Sequence, residues 1–376
     1  MPWSTISINE LNICIKMKKL DVASYRRVNE SLCRRMVYHV GVDCGFFVEM
    51  NYMINAMLYC LAHNIRFQIY SDDANFGTGV GWTEYFLPFC EEVHEPFHKK
   101  FNFHRLPSWR RILKACCKQK NMNPLIWKLK SIPKTIIGRL AALWVYQEYV
   151  LFAQDATDPD HYYSIPELGI NGSYTEVYGL LAKMIWQLQP EILHHEIIYK
   201  EQLKFPPLYD GIQIRGGDKI TETTLIRGKR NIQVLNPKAG SCVFILTDDY
   251  RQYQELQMNC PDIRFLTLCQ PEERGYLHKA FTQKSPQSRK EAIVRLIISV
   301  DLLLNSRSFV GSITTGPSVF VMKQRADDPL VQAVDCPKED LSSSLSLTID
   351  VRAAISKRNM QLQNRHHQQD SPRHHV

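Results

Sequence analysis

The stretch Gly211-Ile212-Gln213-Ile214-Arg215-Gly216-Gly217-Asp218-Lys219 decides how the chain is read. Ile212 and Ile214 are spaced as the inward residues of a short buried strand. The apolar run then stops at an arginine, two glycines, an aspartate and a lysine. In open α/β sheets ligands bind outside the carboxyl ends of the strands, so this is where chemistry is expected.

Working outward, the same grammar repeats. "SCVFILTDDYRQYQELQ", "IRFLTL", "SRKEAIVRLIISVDLLLNS" and "SFVGS" alternate short apolar runs with helical periods, and a further helix is expected from Pro317. Strands alternating with helices predict a parallel sheet with crossovers over residues 206–335. "KFPP" at residues 204–207 marks a boundary. Upstream, "FFVEMNYMINAMLYCLAHN" has helical spacing and "IRFQIYSDD" alternates as a strand, giving an α/β unit over residues 37–205, with residues 124–203 read as helical. Residues 1–36 read as an arm or short helices. Residues 336–376, Ser-rich and ending in "NRHHQQDSPRHHV", read as a polar, disordered tail.

Composition narrows the class. The chain has 376 residues, 44% apolar and 22% charged, enough to bury the cores of two domains. No window approaches the roughly 20 apolar residues of a membrane span, and no cleaved signal is read. Eleven scattered cysteines without a CxxC pair point to buried free thiols rather than zinc or redox chemistry. Charge is uneven: residues 96–147 hold twelve Lys or Arg and no Asp or Glu, interleaved with Trp109, Trp127 and Trp144. That segment is a solvated basic insertion or a contact for an anionic surface or membrane. No nucleic-acid fold signature accompanies it, and nucleic acid is not expected.

Three strand ends carry candidate chemistry: Arg215, Gly216, Gly217, Asp218 and Lys219; Thr247, Asp248 and Asp249; Thr314, Thr315 and Gly316. Arg215 offers a fork of donors suited to a diphosphate, the glycines let backbone approach it, and Thr314 and Thr315 add hydroxyl and helix N-terminal donors. Each has a plain alternative. Arg215 can pair with Asp218, "TDD" can cap the next helix, and "GSITTGP" can be a turn before a helix.

Four ordered stretches over residues 37–325 resemble the α1,6-fucosyltransferase family and its protein O-fucosyltransferase and nodulation relatives. They are "CGFFVEMNYMINAML", "YSDDANFGTGVGWTEYFLPFC", "GIQIRGGDK", and "FILTDDYRQYQEL" with "RLIISVDLLLNSRSFVGSITTGPSVFVM". The resemblance implies a two-lobed GT-B-like α/β fold with a C-terminal Rossmann-like nucleotide-sugar domain; as a departure from the family, no SH3-like domain is read after it. It implies metal-independent, inverting transfer of fucose from GDP-fucose, a donor substrate rather than a cofactor, to a hydroxyl of a glycan or glycoprotein. Carried over, Arg215 meets the β-phosphate and Phe76 the guanine. Asp248 and Asp249 face the nucleotide, Thr314 and Thr315 take the phosphate-contacting Ser positions, and Glu222 falls within one residue of the family's base, with Asp218 and Lys219 alternative or supporting. The chain departs from the family at Gln213, in place of His, at Gly216, in place of a second Arg, and at Ser299, in place of an acidic contact, with Asp301 two residues on. Loss of one guanidinium weakens leaving-group stabilisation by about 2 to 4 kcal/mol unless Lys219, Lys229 or Arg230 replaces it. A GDP-sugar-binding module without turnover and a transferase for another nucleotide sugar are the alternatives. Sequons at Asn29 and Asn171 matter only in the secretory pathway; a Golgi location with an anchor outside this chain and a cytoplasmic one both remain open.

Overall fold

Helix α1 (Val22–Ser31) and strand β1 (Arg34–His39) open the described chain, where an arm or short helices were expected as far as residue 36. The computed structural model describes residues 20–41, 45–101, nine positions between 126 and 141, 160–216, 228–347 and 349–369. Asp21 caps α1 by accepting from the Ser24 N–H at 2.9 Å. The carboxamide of Asn29 donates to the Phe67 carbonyl at 2.9 Å and accepts from its N–H at 2.7 Å, bonding as a neighbouring strand's peptide would. Asn29 is therefore buried and committed, and its sequon is closed to modification in the folded chain.

The long helix α2 (Phe46–Ala62) and strands β2 (Ile65–Tyr70) and β3 (Glu91–Glu92) follow, then α3 (Pro96–Lys100). β1, β2 and β3 form a parallel sheet in that order. The glycine-rich turn after β2 has a structural cause: Gly81 has φ +84°, and a Cβ there would lie 2.2 Å from the Ser71 hydroxyl. Glu84, buried, ties the same turn by accepting from the Thr78 N–H at 2.8 Å and its hydroxyl at 2.6 Å, with Lys290 at 3.4 Å.

Residues 160–173 correct the helical reading. β4 (Tyr162–Ile165) and β5 (Ile170–Ser173) form an antiparallel hairpin that turns at Gly169, φ 64°. Helix α4 (Tyr174–Ile185) starts on Ser173, whose N–H and hydroxyl both donate to Glu176 at 2.7 Å. α5 (Pro190–Gln202) leads into the second sheet.

That sheet comprises β6 (Asp210–Ile214), β7 (Cys242–Thr247), β8 (Arg264–Thr267), β9 (Phe309–Gly311) and β10 (Val331–Ala333), all parallel, in the spatial order β10-β9-β6-β7-β8. The crossovers hold α6 (Gly228–Leu235), α7 (Tyr250–Asn259), α8 (His278–Thr282), α9 (Pro286–Leu304) and α10 (Gly316–Gln324). Counted within the sheet the order is 3-2-1-4-5, whose switch point lies between β6 and β9. Every residue of β6 and β7 is buried, as strands covered on both faces require.

The helices of the two sheets share one core. Phe47 of α2 and Phe320 of α10 meet at 5.1 Å, and Trp186 lies 5.0 Å from Phe320 and 5.2 Å from Phe86. Gly179 of α4 admits α10 so closely that a Cβ there would come within 2.9 Å of the Lys323 carbonyl oxygen.

The expected disordered tail is also corrected, through residue 369. α11 (Leu341–Ser346) and α12 (Ile349–Gln369) continue the fold. Arg352 donates to the Ile313 carbonyl at 3.1 Å, and Ser356 donates to buried Asp335 at 2.7 Å. Among the described cysteines, Cys60, Cys90, Cys242, Cys269 and Cys336 are buried free thiols, Cys260 is half-buried and Cys33 is exposed. No described helix is long and apolar enough to cross a membrane.

Candidate functional site

A cavity of about 350 Å³ opens at the carboxyl ends of β6, β7 and β8, on the side where a doubly wound sheet receives ligands. Its rim is Gln213, Arg215, Thr247 and Asp248. Its far wall is the segment after β8, including Glu273, Arg274, Tyr276 and Phe281, and its floor is the face of α9 with Arg295, Leu296 and Ser299.

Asp248 organises this rim. Its carboxylate accepts from the Gly216 N–H at 2.7 Å and the Tyr276 N–H at 2.8 Å, and it pairs with Arg215 Nη1 at 2.9 Å. Two separate segments, residues 215–216 and the one holding Tyr276, are thereby fixed on one anionic side chain. The Arg215 guanidinium is at the same time held over the Tyr276 ring, 4.9 Å from its centroid, and stays 23% exposed. A cation so held is pre-oriented, and its remaining exposure is what a ligand phosphate would use.

Asp249 does different work. It caps α7, accepting from the Arg251 N–H at 3.1 Å and pairing with that guanidinium at 2.6 Å. Hydrogen bonds from Arg251 hold its carboxyl below the usual carboxylate range. For this aspartate the helix-capping alternative is the one realised.

Three further assignments lie away from this cavity. Phe76 is 1% exposed, packed against Phe46 at 4.9 Å in the core of the first sheet, and does not line the cavity. Asp301 points elsewhere as well: in a helix two residues subtend about 200°, so with Ser299 on the cavity Asp301 faces away. It accepts from Trp186 Nε1 at 2.8 Å and from Asn305 Nδ2 at 2.8 Å, and burial, with the Glu196 charge adding to it, pushes its carboxyl up to about 6. The Thr314 and Thr315 hydroxyls are buried and turned inward. Thr314 meets Ser312 at 2.7 Å, and Thr315 donates to Gln213 Oε1 at 2.7 Å, as Ser318 does. Neither threonine lines the cavity; Pro317 does.

Gly217, Asp218, Lys219 and Glu222 lie outside the described residues. Gly216 is described, and a Cβ on it would stand 3.2 Å from Asp249 Cβ and 3.4 Å from Asp248 Oδ1, tighter than most side-chain contacts. The second arginine of the family motif therefore has little room here. The sequence reading missed the far wall. Its signal was present, because "CQPEERGYLHKAF" follows β8 as directly as the other candidates follow their strands. Gly275 there has φ 103°, and its N–H donates to the Asp248 carbonyl at 2.7 Å.

The cavity is mixed in character. Arg215, Arg274, Lys284 and Arg295 face Asp248, Glu272 and Glu273, with Arg295 and Glu273 paired at 2.8 Å. Leu268, Tyr276, Leu277, Phe281, Ile293 and Leu296 supply flat and apolar surface. Cys269 also lines it, and burial, then the charge of Glu273, pushes its thiol well up, so it stays protonated. A mouth carrying one oriented guanidinium over a partly apolar chamber suits a ligand with an anionic group joined to a planar one.

No protein-family model matches the chain, and no curated protein matches it. Solved structures do. Fucosyltransferase NodZ from Bradyrhizobium is similar at a TM-score of 0.45 and 15% identity, over 79% of this chain and 93% of that one. Arabidopsis thaliana FUT1 in complex with GDP matches at 0.42 and 11%, over 80% and 73%. POFUT1 in complex with GDP matches at 0.40 and 9%, over 80% and 98%.

Proposed function

We propose that the chain is a glycosyltransferase of GT-B-like arrangement whose C-terminal, Rossmann-like sheet binds a nucleotide sugar, GDP-fucose, and that it transfers the sugar to a hydroxyl of a glycan or glycoprotein. One observation carries the reading: Arg215, at the carboxyl end of the central strand beside the switch point, is held by Asp248 and Tyr276 at the mouth of a chamber with aromatic walls.

The chemistry follows from the leaving group. In a one-step displacement the bond from the anomeric carbon to the β-phosphate oxygen breaks as the bond to the acceptor oxygen forms, with inversion. The acceptor proton passes to a carboxylate, and the electron pair leaves with GDP. Negative charge grows on the diphosphate, so a pre-oriented guanidinium stabilises the transition state more than the ground state. Aromatic surface at Tyr276 and Phe281 suits the nucleobase in place of Phe76. Glu222 is the base proposed from the sequence, with Asp218 and Lys219 in support. An arginine-held diphosphate needs no divalent ion in this scheme.

A second reading, binding without turnover, draws on Gly216, which leaves the rim one guanidinium short of the family motif. One experiment separates the two. Purified chain is incubated with GDP-fucose, GDP-mannose and UDP-sugars, and nucleotide release is followed with and without glycan acceptors. Release from GDP-fucose alone, lowered about a hundredfold or more by Arg215→Ala, supports the transferase. GDP affinity with no release from any donor supports the binding module, and absence of GDP affinity rejects both.

A further inference from the structure

Most of the basic segment over residues 96–147 lies outside the described residues. Among the described ones, a buried polar side chain at the cavity has no role in the scheme above. It is Gln213, on the central strand of the second sheet, 5% exposed and part of the cavity lining. Side chains alternate along β6. Ile212 and Ile214 pack on one face with Val243 and Ile245, so Gln213 takes the other, the face of Arg215 two positions on and about 7 Å along the strand.

The Gln213 carboxamide is held at one end only. Its Oε1 accepts from the Thr315 hydroxyl at 2.7 Å and from the Ser318 hydroxyl at 2.7 Å. Turned the other way, the group would leave both hydroxyl protons poorly placed: Thr315 would have the Ser312 carbonyl at 3.5 Å, and Ser318, fully buried, no other acceptor among the described residues. Nε2 is therefore the end left over. It donates to no described residue, yet it is not among the polar atoms sealed inside the protein without a partner. A sealed, unmet amide donor is costly, whereas one that opens on the cavity is met by water until a ligand replaces it. The two hydroxyls that hold Oε1 belong to the N-cap and first turn of α10, whose positive end reaches the cavity through Pro317.

We propose that Gln213 is the second donor to the ligand diphosphate, its Nε2 giving a hydrogen bond to a phosphate oxygen beside the Arg215 guanidinium, with Thr315 and Ser318 as positioning residues that fix the carboxamide. Resting on the nucleotide-sugar reading of this cavity, it gives the rim two donors of different kinds. Arg215 carries a charge that Asp248 already balances, and Gln213 adds a neutral N–H that needs no counter-ion. An amide NH2 only donates, so its partner must be an acceptor, and phosphate oxygens are the acceptors that Arg215 and the α10 N-terminus both draw to this face.

The test is titration calorimetry of GDP and of guanosine into wild-type chain, Gln213→Glu, Gln213→Met and Arg215→Ala at pH 8, with Gln213→Glu and wild type repeated at pH 5. Gln213→Glu is the discriminating change, because its carboxylate still accepts from both hydroxyls but presents an anionic oxygen where Nε2 stood. It should weaken GDP about tenfold to a hundredfold at pH 8, while its melting temperature without ligand moves little. Relative to wild type at the same pH, part of that loss should return at pH 5, where the glutamate takes up a proton and donates again. Gln213→Met, similar in length with neither polar end, should lose about tenfold in GDP affinity and also melt earlier, since it leaves the two hydroxyls unmet. Guanosine, which has no phosphate, should bind both Gln213 variants as it binds wild type. Wild-type GDP affinity in Gln213→Glu at pH 8 overturns the proposal, because it makes Gln213 only a tie between β6 and α10. Equal losses for GDP and guanosine in Gln213→Met overturn it too, and keep it falsifiable if Gln213→Glu does not fold. In either case a GDP affinity lowered by Arg215→Ala leaves the nucleotide reading standing; no GDP binding by wild type removes both.

Discussion

Replacing Asp248 by Asn tests whether one carboxylate organises the binding rim. Asp248 accepts two backbone N–H groups, at 2.7 and 2.8 Å, and pairs with Arg215 at 2.9 Å. An Asn keeps the shape but has one oxygen, and its NH2 must face a donor on the other side. Hydrogen bonds to a charged group are each worth about 1.5 to 3 kcal/mol, and leaving a partly buried donor unmet costs about 1 to 3 kcal/mol. The Asp248 side chain is 18% exposed, so water relieves part of this, and a net loss of about 2 kcal/mol is expected. For a 376-residue chain with one shared core that lowers the melting temperature by roughly 2 to 4 °C. Because the same change releases Arg215 and the Tyr276 segment, GDP affinity should fall about tenfold or more, whereas Asp249→Ala, which removes a helix cap, should cost about 1 kcal/mol of stability and leave affinity alone. Differential scanning calorimetry and titration calorimetry read both quantities. If Asp248→Asn melts and binds like wild type, Asp248 does not hold the rim together.

Two buried charges give opposite pH signatures. Asp301, its carboxyl raised to about 6 chiefly by burial, binds more protons folded than unfolded between its ordinary value and about 6, so its cost grows as pH rises through that window. Asp301→Asn should therefore raise the melting temperature at pH 8 and make little difference at pH 4. Lys323 is buried with its amine donating to Tyr174 at 2.9 Å and lying 4.2 Å from the Tyr178 ring; burial, with the charge of Arg352 second, pushes its amine well down. Its cost is instead largest at low pH and fades toward the ordinary lysine value, so the gain from Lys323→Met should be greater at pH 6 than at pH 9. Gly179→Ala should destabilise by about 1 to 3 kcal/mol in urea titration, since its Cβ would press on the Lys323 carbonyl.

The second sheet was readable from the chain because its strands are buried on both faces: Cys242–Thr247 is an uninterrupted apolar run ending in polar residues. α2 was readable for a similar reason, having eleven buried positions. The hairpin over residues 162–173 was not, because each strand has only four residues and Gly169, Asn171 and Gly172 read as a loop. α12 was hidden by its chemistry. It docks through Arg352 and Ser356, polar residues whose burial is made possible by partners at Asp335 and Ile313, so no apolar period announces it. Of the candidate site, Arg215 and Asp248 could be found from strand ends alone. Phe76 could not be excluded, since an aromatic after a strand looks the same whether it faces a ligand or, as here, Phe46 and Tyr85. The rotation that takes Asp301 off the cavity and puts Ser299 on it emerges only once the helix phase is known.

The central claim is that Arg215 grips a nucleoside diphosphate at the mouth of this cavity, and titration calorimetry of GDP into wild-type chain and Arg215→Ala tests it most directly. Saturable one-site binding to wild type, weakened about tenfold or more in the variant while its melting temperature without ligand changes little, is the predicted result. Equal affinity in the two proteins, or no heat from wild type at saturating GDP, contradicts it.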